Sequence, residues 1–266
     1  MIAPSVQYRR RRGAFWTLLF WGAVGIGSYV LGVQNSLGQQ VEAGVLEAST
    51  FTTHPPAPLN LVSVPAVGLA LVALGLLAYF AHGIRRAVVV TIVPALGILA
   101  AQLLKQRVLG RPDLFEFDAP NTFPSGHMTV FAVLVGALVW AVPARVRPLV
   151  ALLGTAVLGV VGWQLLAYGW HRPSDVVGAL ALGVVVFAFA TLVGPVERPQ
   201  PLVLERTASI LLLAVGGVLV AAGLVVGAFA ALETSSERLL IAGQIGVIGA
   251  SAVAARSLFL LSAGRS

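Results

Sequence analysis

The chain has 266 residues, of which 58% are hydrophobic and only 10% are charged, whereas about a quarter of the residues of a soluble domain are charged. This composition excludes a soluble globular domain and indicates an integral membrane protein. Cysteine is absent, which excludes a disulfide framework and a thiolate metal site. The net charge of +7 suits an anionic partner, but most basic residues lie in short connections between apolar runs. That distribution favours a role in membrane topology over nucleic-acid binding.

Eight apolar runs follow one another along the chain. Because lipid cannot hydrogen-bond to exposed backbone groups, we predict that each run forms a helix rather than a strand. Each run is close to the length that crosses a bilayer, so the expected fold class is all-α, a polytopic membrane bundle of about eight transmembrane helices. We interpret the first run as a retained helix, since no small-residue cleavage site clearly closes it. The approximate limits are 14–33, 61–83, 87–104, 127–143, 148–168, 174–195, 208–231 and 239–262.

The distribution of arginine predicts the orientation in the membrane. Basic residues concentrate before the first run and in alternate connections, whereas the 34–60 connection contains no Lys or Arg. The positive-inside rule therefore places both termini in the cytoplasm and the 105–126 and 169–173 connections on the outer face of a plasma membrane. A single lysine among 17 basic residues is typical of a GC-rich bacterial genome. The basic residues behind the orientation are Arg9, Arg10, Arg11, Arg12, Arg85, Arg86, Arg145, Arg147, Arg198 and Arg206.

The long 34–60 connection is polar and contains three prolines. Two placements are open for it: it covers the functional face of the bundle, or it lies along the membrane surface. The composition of this segment does not choose between them.

The two outer connections retain basic residues against the topological trend: Lys105, Arg107, Arg111 and Arg172. Binding of an anionic group explains their presence, because arginine offers a planar fork that matches phosphate oxygens and lysine offers a point charge. The alternative is that they are anchors that snorkel from helix ends, and we assign Arg107 to this class. Acidic residues in the same connection would weaken anion binding if they pointed inward. We therefore expect these three in solvent: Asp113, Glu116 and Asp118.

One candidate catalytic pair lies in the connection before the sixth run. His171 and Asp175 are four residues apart, so they are neighbours if a helix begins near Pro173. A carboxylate beside an imidazole holds the Nδ1 proton and leaves Nε2 as a nucleophile or base. The alternative is that Asp175 caps a helix and His171 is merely interfacial.

A second histidine, His127, follows Pro124, Ser125 and Gly126 at the start of the fourth run. A helix amino terminus presents N–H groups and a positive dipole end that suit phosphate. Ser125 adds a hydroxyl, Gly126 allows close backbone approach, and His127 is placed to protonate a leaving oxygen. The alternative is a serine N-cap followed by a glycine turn and a bystander histidine.

In chain order these elements resemble the motifs of the type 2 phosphatidic acid phosphatase superfamily, which also contains the vanadium haloperoxidases. The resemblance covers roughly 87–195 and implies a phosphatase-type helical core whose chemistry requires no metal and no cofactor. It also implies that His171 attacks phosphorus to form a phosphohistidine, that Asp175 orients His171, and that His127 protonates the leaving group. The groups that would hold the phosphoryl oxygens are Lys105, Arg111, Ser125 and the Gly126 amide.

Two departures from the family pattern bear on this interpretation. Only five residues separate Lys105 from Arg111, where the family usually has six, which rotates Lys105 by about 100° if the segment is helical. Gln164 and Leu165 stand where the family carries Ser-Arg, so one phosphate-binding arginine is missing. We expect Arg172, beside the proposed nucleophile, to supply that charge from another direction.

The resemblance leads us to expect a membrane phosphatase that hydrolyses a lipid phosphate or diphosphate monoester at the non-cytoplasmic face. The alternative is a catalytically weak relative that binds a phospholipid or acts as a scaffold. The expected partners are the membrane and a lipid phosphate, not nucleic acid, and the sequence does not indicate an oligomeric state. We divide the chain into 1–60 (basic N-terminus, first span and outer loop), 61–196 (phosphatase-like core) and 197–266 (two additional spans).

Overall fold

A computed structural model describes residues 4–194 and 204–263 of the chain, and all regular secondary structure in these two ranges is helical. Arg198 and the expected domain boundary after residue 196 lie outside the described residues. The α-helices are α1 Pro4–Ser28, α2 Ser36–Glu47, α3 Val64–His82, α4 Ile84–Leu103, α5 Gly126–Ala141, α6 Arg147–Ala167, α7 Pro173–Val193, α8 Glu205–Leu232 and α9 Ser236–Ala263.

All eight predicted runs are helices, which confirms an all-α polytopic bundle. In the described part of the chain, seven helices are long and apolar enough to cross a membrane. The remaining run, α5, has only 16 residues and is therefore about 24 Å long, shorter than a bilayer core of about 30 Å. Most of its side chains are buried. Helix α5 therefore lies inside the bundle, packed against α4, α6, α7 and α9.

Two helices change their winding at the end that carries the predicted site. Helix α1 continues as a π-helical turn over Tyr29–Val33, and α4 continues as a π-helical turn over Leu104–Val108. Such turns interrupt the regular helical hydrogen bonding and often occur at functional sites. The second turn contains Lys105, so the orientation of this lysine does not follow from an α-helical extension of α4.

The long 34–60 connection contains a helix that the sequence analysis did not predict. Helix α2 begins after Asn35, whose side chain accepts hydrogen bonds from the N–H groups of Leu37 and Gly38. It is short and lacks a long apolar run, so hydrophobicity alone gives no signal for it. Glu42 of α2 accepts a hydrogen bond from the Ser174 N–H at the start of α7. Helix α2 therefore contacts the end of the bundle that carries the predicted site.

The last helix is part of the bundle core. Helix α9 packs against α6, α7 and α8, and its Leu258, Phe259 and Leu261 are fully buried. The indole N–H of Trp21 in α1 donates to the Ser257 hydroxyl of α9 at 2.9 Å. The first and last spans therefore meet around the same core, with α8 packed mainly on α9.

Candidate functional site

The predicted site residues come from three separate segments that meet at one end of the bundle. The π-helical end of α4, the start of α5 and the start of α7 converge there. The Ser125 N–H donates to the main-chain carbonyl of Asp175 at 3.0 Å, which ties the first turns of α5 and α7 together. The sequence elements that carry the two histidines are thus brought into one site by a direct backbone contact.

The proposed nucleophile is held against a buried carboxylate. Helix α7 begins at Pro173, and His171 Nδ1 lies 3.1 Å from Asp175 Oδ2. The same oxygen accepts from the Arg172 N–H at 3.1 Å and from the Thr122 hydroxyl at 2.6 Å. His171 and Asp175 are only 7% and 1% exposed. A proton on Nδ1 is therefore directed at the carboxylate, which leaves Nε2 without this partner.

Thr122 is a site residue that the sequence analysis missed. Its hydroxyl donates to Asp175 and accepts from an Arg172 guanidinium nitrogen at 3.2 Å. It lies three residues before Ser125 in a connection without regular structure. An isolated threonine in such a segment gives no signal, because its partners are about 50 residues away in sequence.

The second histidine lies at the amino end of α5. Ser125 is the N-cap of this helix, and its hydroxyl oxygen accepts the Met128 N–H at 3.3 Å. The ring of His127 is half-buried and lies edge-on to Trp170, with centroids 5.3 Å apart. His171 and Lys105 are both close enough to interact electrostatically with His127. The capping role and the position in the site coexist, so the N-cap alternative does not remove Ser125 from the site.

Gly126 lies close to the side chain of Gln102 in α4. A Cβ atom added there would lie 3.2 Å from the Gln102 side-chain nitrogen. The neighbour is the tip of an exposed glutamine side chain, so the predicted close approach of a ligand to the Gly126 backbone stays a prediction.

Two of the predicted cationic residues share one carboxylate. Arg111 and Arg172 each donate from one terminal nitrogen to Glu116 Oε2 at 2.6 Å. Their side chains are 2% and 6% exposed, while that of Glu116 is 24% exposed. Lys105 is half-buried, and Arg107 is exposed as an anchor would be. The structure therefore brings Arg111 from one connection and Arg172 from the other to the same point.

The expectation that all three acidic residues of the 105–126 connection face solvent is wrong for Glu116. Asp113 and Asp118 are exposed, but Glu116 points inward to the two arginines. The physical reason is that two buried guanidinium groups require a compensating charge, and Glu116 provides it. A carboxylate in a loop gives no sequence signal for this orientation.

The position of the missing family arginine carries no charge. Leu165 is fully buried in α6, and its carbonyl accepts the N–H groups of Trp170 and His171. Gln164 donates from its side chain to the carbonyl of Ala57 at 3.0 Å. Neither side chain carries a positive charge, and the guanidinium group nearest to His171 in sequence is that of Arg172.

The N-terminal part of the chain holds the arginine-bearing connection in place. The Tyr29 hydroxyl donates to the Gly110 carbonyl at 2.7 Å. The side chain of Gln39 in α2 donates to the Pro112 carbonyl at 2.7 Å and accepts from the Phe115 N–H at 3.0 Å. These contacts bracket Arg111 on both sides, so its position depends on residues far away in sequence.

A second buried carboxyl lies beside the histidine–aspartate pair. Glu42 is 5% exposed, and its Oε1 accepts the Ser174 N–H at 2.8 Å. Its other oxygen is buried without a hydrogen-bond partner in the described part of the chain. Burial, followed by the negative charge of Asp175, raises the pKa of Glu42 from 4.5 to about 7. The protonation of Glu42 therefore changes near neutral pH. Its hydrogen-bond partner, Ser174, directly precedes Asp175 in sequence.

An apolar cavity of about 220 Å³ lies between α1 and α7 next to the site. It reaches Leu104 and Pro124, the neighbours in sequence of Lys105 and Ser125. Small residues create the space, as at Gly178, where an added Cβ would lie 2.3 Å from the Phe123 ring. The cavity is therefore an apolar volume directly beside the polar groups of the site.

Taken together, the fold and the site define a helical membrane protein with a buried histidine–aspartate pair, a second histidine and clustered cations at one end of the bundle. Residues 104–199 match the sequence model of the PAP2 superfamily, which is the superfamily that the motifs predicted. The match includes all eight predicted site residues. No curated protein and no solved structure matches the chain. Among residues 4–194 and 204–263, no cluster of three or more His, Asp or Glu side chains is arranged to hold a metal ion.

Proposed function

We propose that the chain is a membrane phosphatase that hydrolyses a lipid phosphate or diphosphate monoester through a phosphohistidine. The PAP2 match itself indicates phosphatase activity on phosphate esters. The observation that carries the finer proposal is the 3.1 Å contact between His171 Nδ1 and the buried Asp175 carboxylate. This contact leaves Nε2 of His171 as a nucleophile in the same site as a second histidine and clustered cations.

The proposed reaction has two steps. In the first, His171 Nε2 forms a bond to phosphorus while the bond to the leaving oxygen breaks, and His127, which takes up a proton as the anionic substrate binds, donates that proton to the leaving oxygen. In the second, neutral His127 takes a proton from water, whose oxygen attacks phosphorus and releases His171 and inorganic phosphate. Asp175 stabilises the positive charge that develops on the His171 ring in both steps.

The proposed phosphoryl-binding groups surround this path. Lys105, Arg111 and Arg172 supply positive charge, and the amino end of α5 adds the Ser125 hydroxyl and the Gly126 N–H. Phosphoryl transfer depends mainly on positioning and on stabilising charge on the equatorial oxygens. Arg172 takes the part of the arginine that Leu165 replaces.

The apolar cavity supports a lipid as the substrate. It lies between two helices that are long enough to span a membrane, α1 and α7. If the phosphate group of a lipid were bound at the site, its hydrocarbon chain would lie next to this cavity and would stay in the apolar layer of the membrane. We place the site on the outer face of the plasma membrane, since the arginine-rich connections lie at the other end of the bundle.

A second candidate follows from the missing arginine. Leu165 is apolar and fully buried, so the cation that the family pattern carries at this position is absent. A catalytically weak relative that binds phospholipid headgroups would retain Arg111 and Arg172 but would not require His171.

Phosphate release by the purified full chain in detergent tests the proposal. The substrates are a polyprenyl diphosphate, phosphatidate, phosphatidylglycerophosphate and a soluble phosphoester, each with the wild type and with His171→Ala. We expect release from at least one lipid substrate by the wild type and none by the variant. Labelled phosphate trapped in an acid-labile bond to the wild type, but not to His171→Ala, would establish the intermediate. Equal release by the variant would exclude His171 as the nucleophile, and binding without release would favour the second candidate.

A further inference from the structure

The two arginines of the site converge on a single oxygen atom. Glu116 Oε2 lies 2.6 Å from a terminal nitrogen of Arg111 and 2.6 Å from a terminal nitrogen of Arg172. Charge-assisted hydrogen bonds of this kind are short and about twice as strong as neutral ones. Two guanidinium groups that converge on one anionic oxygen can bind a phosphoryl oxygen in the same way. Glu116 therefore stands at a position suited to the anion that these arginines would bind.

Arg111 and Arg172 each have a buried N–H donor without a hydrogen-bond partner in the described residues. The Nε atoms of Arg111 and Arg172 are both buried, and neither has a hydrogen-bond partner within residues 4–194 and 204–263. A buried donor without a partner costs free energy. The contact with Glu116 Oε2 thus leaves the Nε–H groups of Arg111 and Arg172 without an acceptor. A phosphoryl group has several oxygens, which can accept from both guanidinium groups.

Glu116 is more exposed to solvent than the two arginines that it contacts. The Glu116 side chain is 24% exposed, against 2% for Arg111 and 6% for Arg172. It lies in a stretch without helical hydrogen bonding, between the loop contacts made by Gln39 and the start of α5. Glu116 can therefore turn toward solvent while the two buried arginines stay in place.

We propose that Glu116 is an internal competitor for the phosphoryl-binding position: the phosphate group displaces its carboxylate from Arg111 and Arg172, and the carboxylate returns when phosphate leaves. This inference rests on the proposed function. Glu116 then sets the affinity of the site for phosphate and limits inhibition by the product. It is an affinity-determining residue and takes no part in bond making.

The test is the binding of inorganic phosphate to the full chain in detergent, measured by titration calorimetry. We expect Glu116→Gln to lower the Kd for phosphate by about tenfold or more, the value of one charge-assisted hydrogen bond. Glu116→Asp keeps the charge but is one methylene shorter, so it should also bind phosphate more tightly. Asp118→Asn is the matched control, since it removes one exposed charge from the same loop and should leave the Kd unchanged.

Several results would overturn the inference. If Glu116 instead holds the arginines in position, Glu116→Gln binds phosphate as weakly as the wild type or more weakly. If Glu116 weakens phosphate binding only through its negative charge and not by occupying the position, Glu116→Asp has the wild-type Kd, or Asp118→Asn lowers the Kd as much as Glu116→Gln. If neither the wild type nor any variant binds phosphate, the arginines do not form an anion site.

A parallel hydrolysis assay separates this inference from the proposed function. A wild type that hydrolyses lipid phosphate in a His171-dependent manner, with no gain of affinity in Glu116→Gln, refutes only the competitor role. A wild type that hydrolyses no phosphate ester refutes the proposed function and the inference that rests on it. In an active enzyme, Glu116→Gln should lower KM and the inhibition constant of inorganic phosphate together without raising kcat, a pattern that loss of structure would not produce.

Discussion

Buried arginines occur at both ends of the bundle, but their partners differ. At the site end, Arg111 and Arg172 donate to the partly exposed carboxylate of Glu116. At the opposite end, Arg86 donates to the Trp140 carbonyl at 3.0 Å, and Arg147 donates to the Ser262 carbonyl at 3.1 Å. The two carbonyls are fixed by the backbone at the ends of α5 and α9, whereas Glu116 is a side chain of a loop. Arginine therefore contacts helix ends at one end of the bundle, and at the other end it contacts the carboxylate that we propose phosphate displaces.

The largest effect on activity should come from removing the negative charge of Asp175 at the site end. Asp175→Asn keeps the size of the side chain but removes the charge that stabilises the His171 ring. We expect kcat to fall by about 10²–10⁴-fold, in line with the loss of an orienting carboxylate in other histidine-dependent enzymes. Steady-state phosphate release from the best lipid substrate measures this change. Activity within twofold of the wild type would show that the 3.1 Å contact has no catalytic importance.

The comparison of the two ends is tested directly by a pair of arginine variants. Arg172→Ala should lower kcat/KM by about 10²-fold, since one charge-assisted contact to the phosphoryl group is worth about 1.5–3 kcal/mol, with little change in Tm. Arg147→Ala should lower the Tm by several degrees and leave kcat/KM of the folded fraction close to that of the wild type. Similar profiles for the two variants would remove the functional distinction between the ends.

A smaller effect should follow from filling the cavity between α1 and α7. Gly22 lines this cavity, whereas Gly27 of the same helix does not, and an added Cβ meets no atom within 4 Å at either position. We expect Gly22→Leu to raise KM for a long-chain lipid phosphate by about tenfold, because a blocked apolar pocket loses contacts worth 1–3 kcal/mol. KM for a short soluble phosphoester should not change.

Gly27→Leu is the control for added bulk on α1 and should leave both KM values unaltered. An equal rise in KM for the long-chain and the soluble substrate in Gly22→Leu would mean that the cavity does not hold the hydrocarbon chain.

The prediction with the smallest effect on activity concerns the pH dependence of stability at Glu42. Because the pKa of Glu42 is raised from 4.5 to about 7 in the folded chain, folding favours the protonated carboxyl. Its stabilising contribution is complete below pH 4.5 and is lost as the pH rises through about 7, with a magnitude on the order of 3 kcal/mol. The Tm of the wild type should therefore decrease across this window.

Glu42→Gln should flatten this part of the pH profile, since the amide oxygen can still accept the Ser174 N–H but cannot ionise. Glu47→Gln, an exposed position in the same helix, should retain the wild-type slope. A slope that persists in Glu42→Gln would assign the pH dependence to another group.

Much of the bundle could be predicted from local sequence, and much of the site could not. The eight apolar runs are helices because their composition leaves no other way to satisfy backbone groups in lipid. The start of α7 at Pro173 and the proximity of His171 to Asp175 follow from a four-residue spacing. The inward turn of Glu116 and the contact of Thr122 with Asp175 join residues from different connections, so no local pattern reveals them.

The sequence by itself determined the class of the protein, because hydrophobicity and motif order are properties of short segments. It determined the helical membrane bundle, the PAP2 motifs, and the absence of an arginine at Leu165. The orientation in the membrane and the division into three parts stay predictions. Only the tertiary structure decided that α5 lies inside the bundle, that α2 contacts the site end, and that an apolar cavity adjoins the site. It also decided that Arg111 and Arg172 share Glu116, since the charges that a buried group must balance depend on which segments the fold brings together.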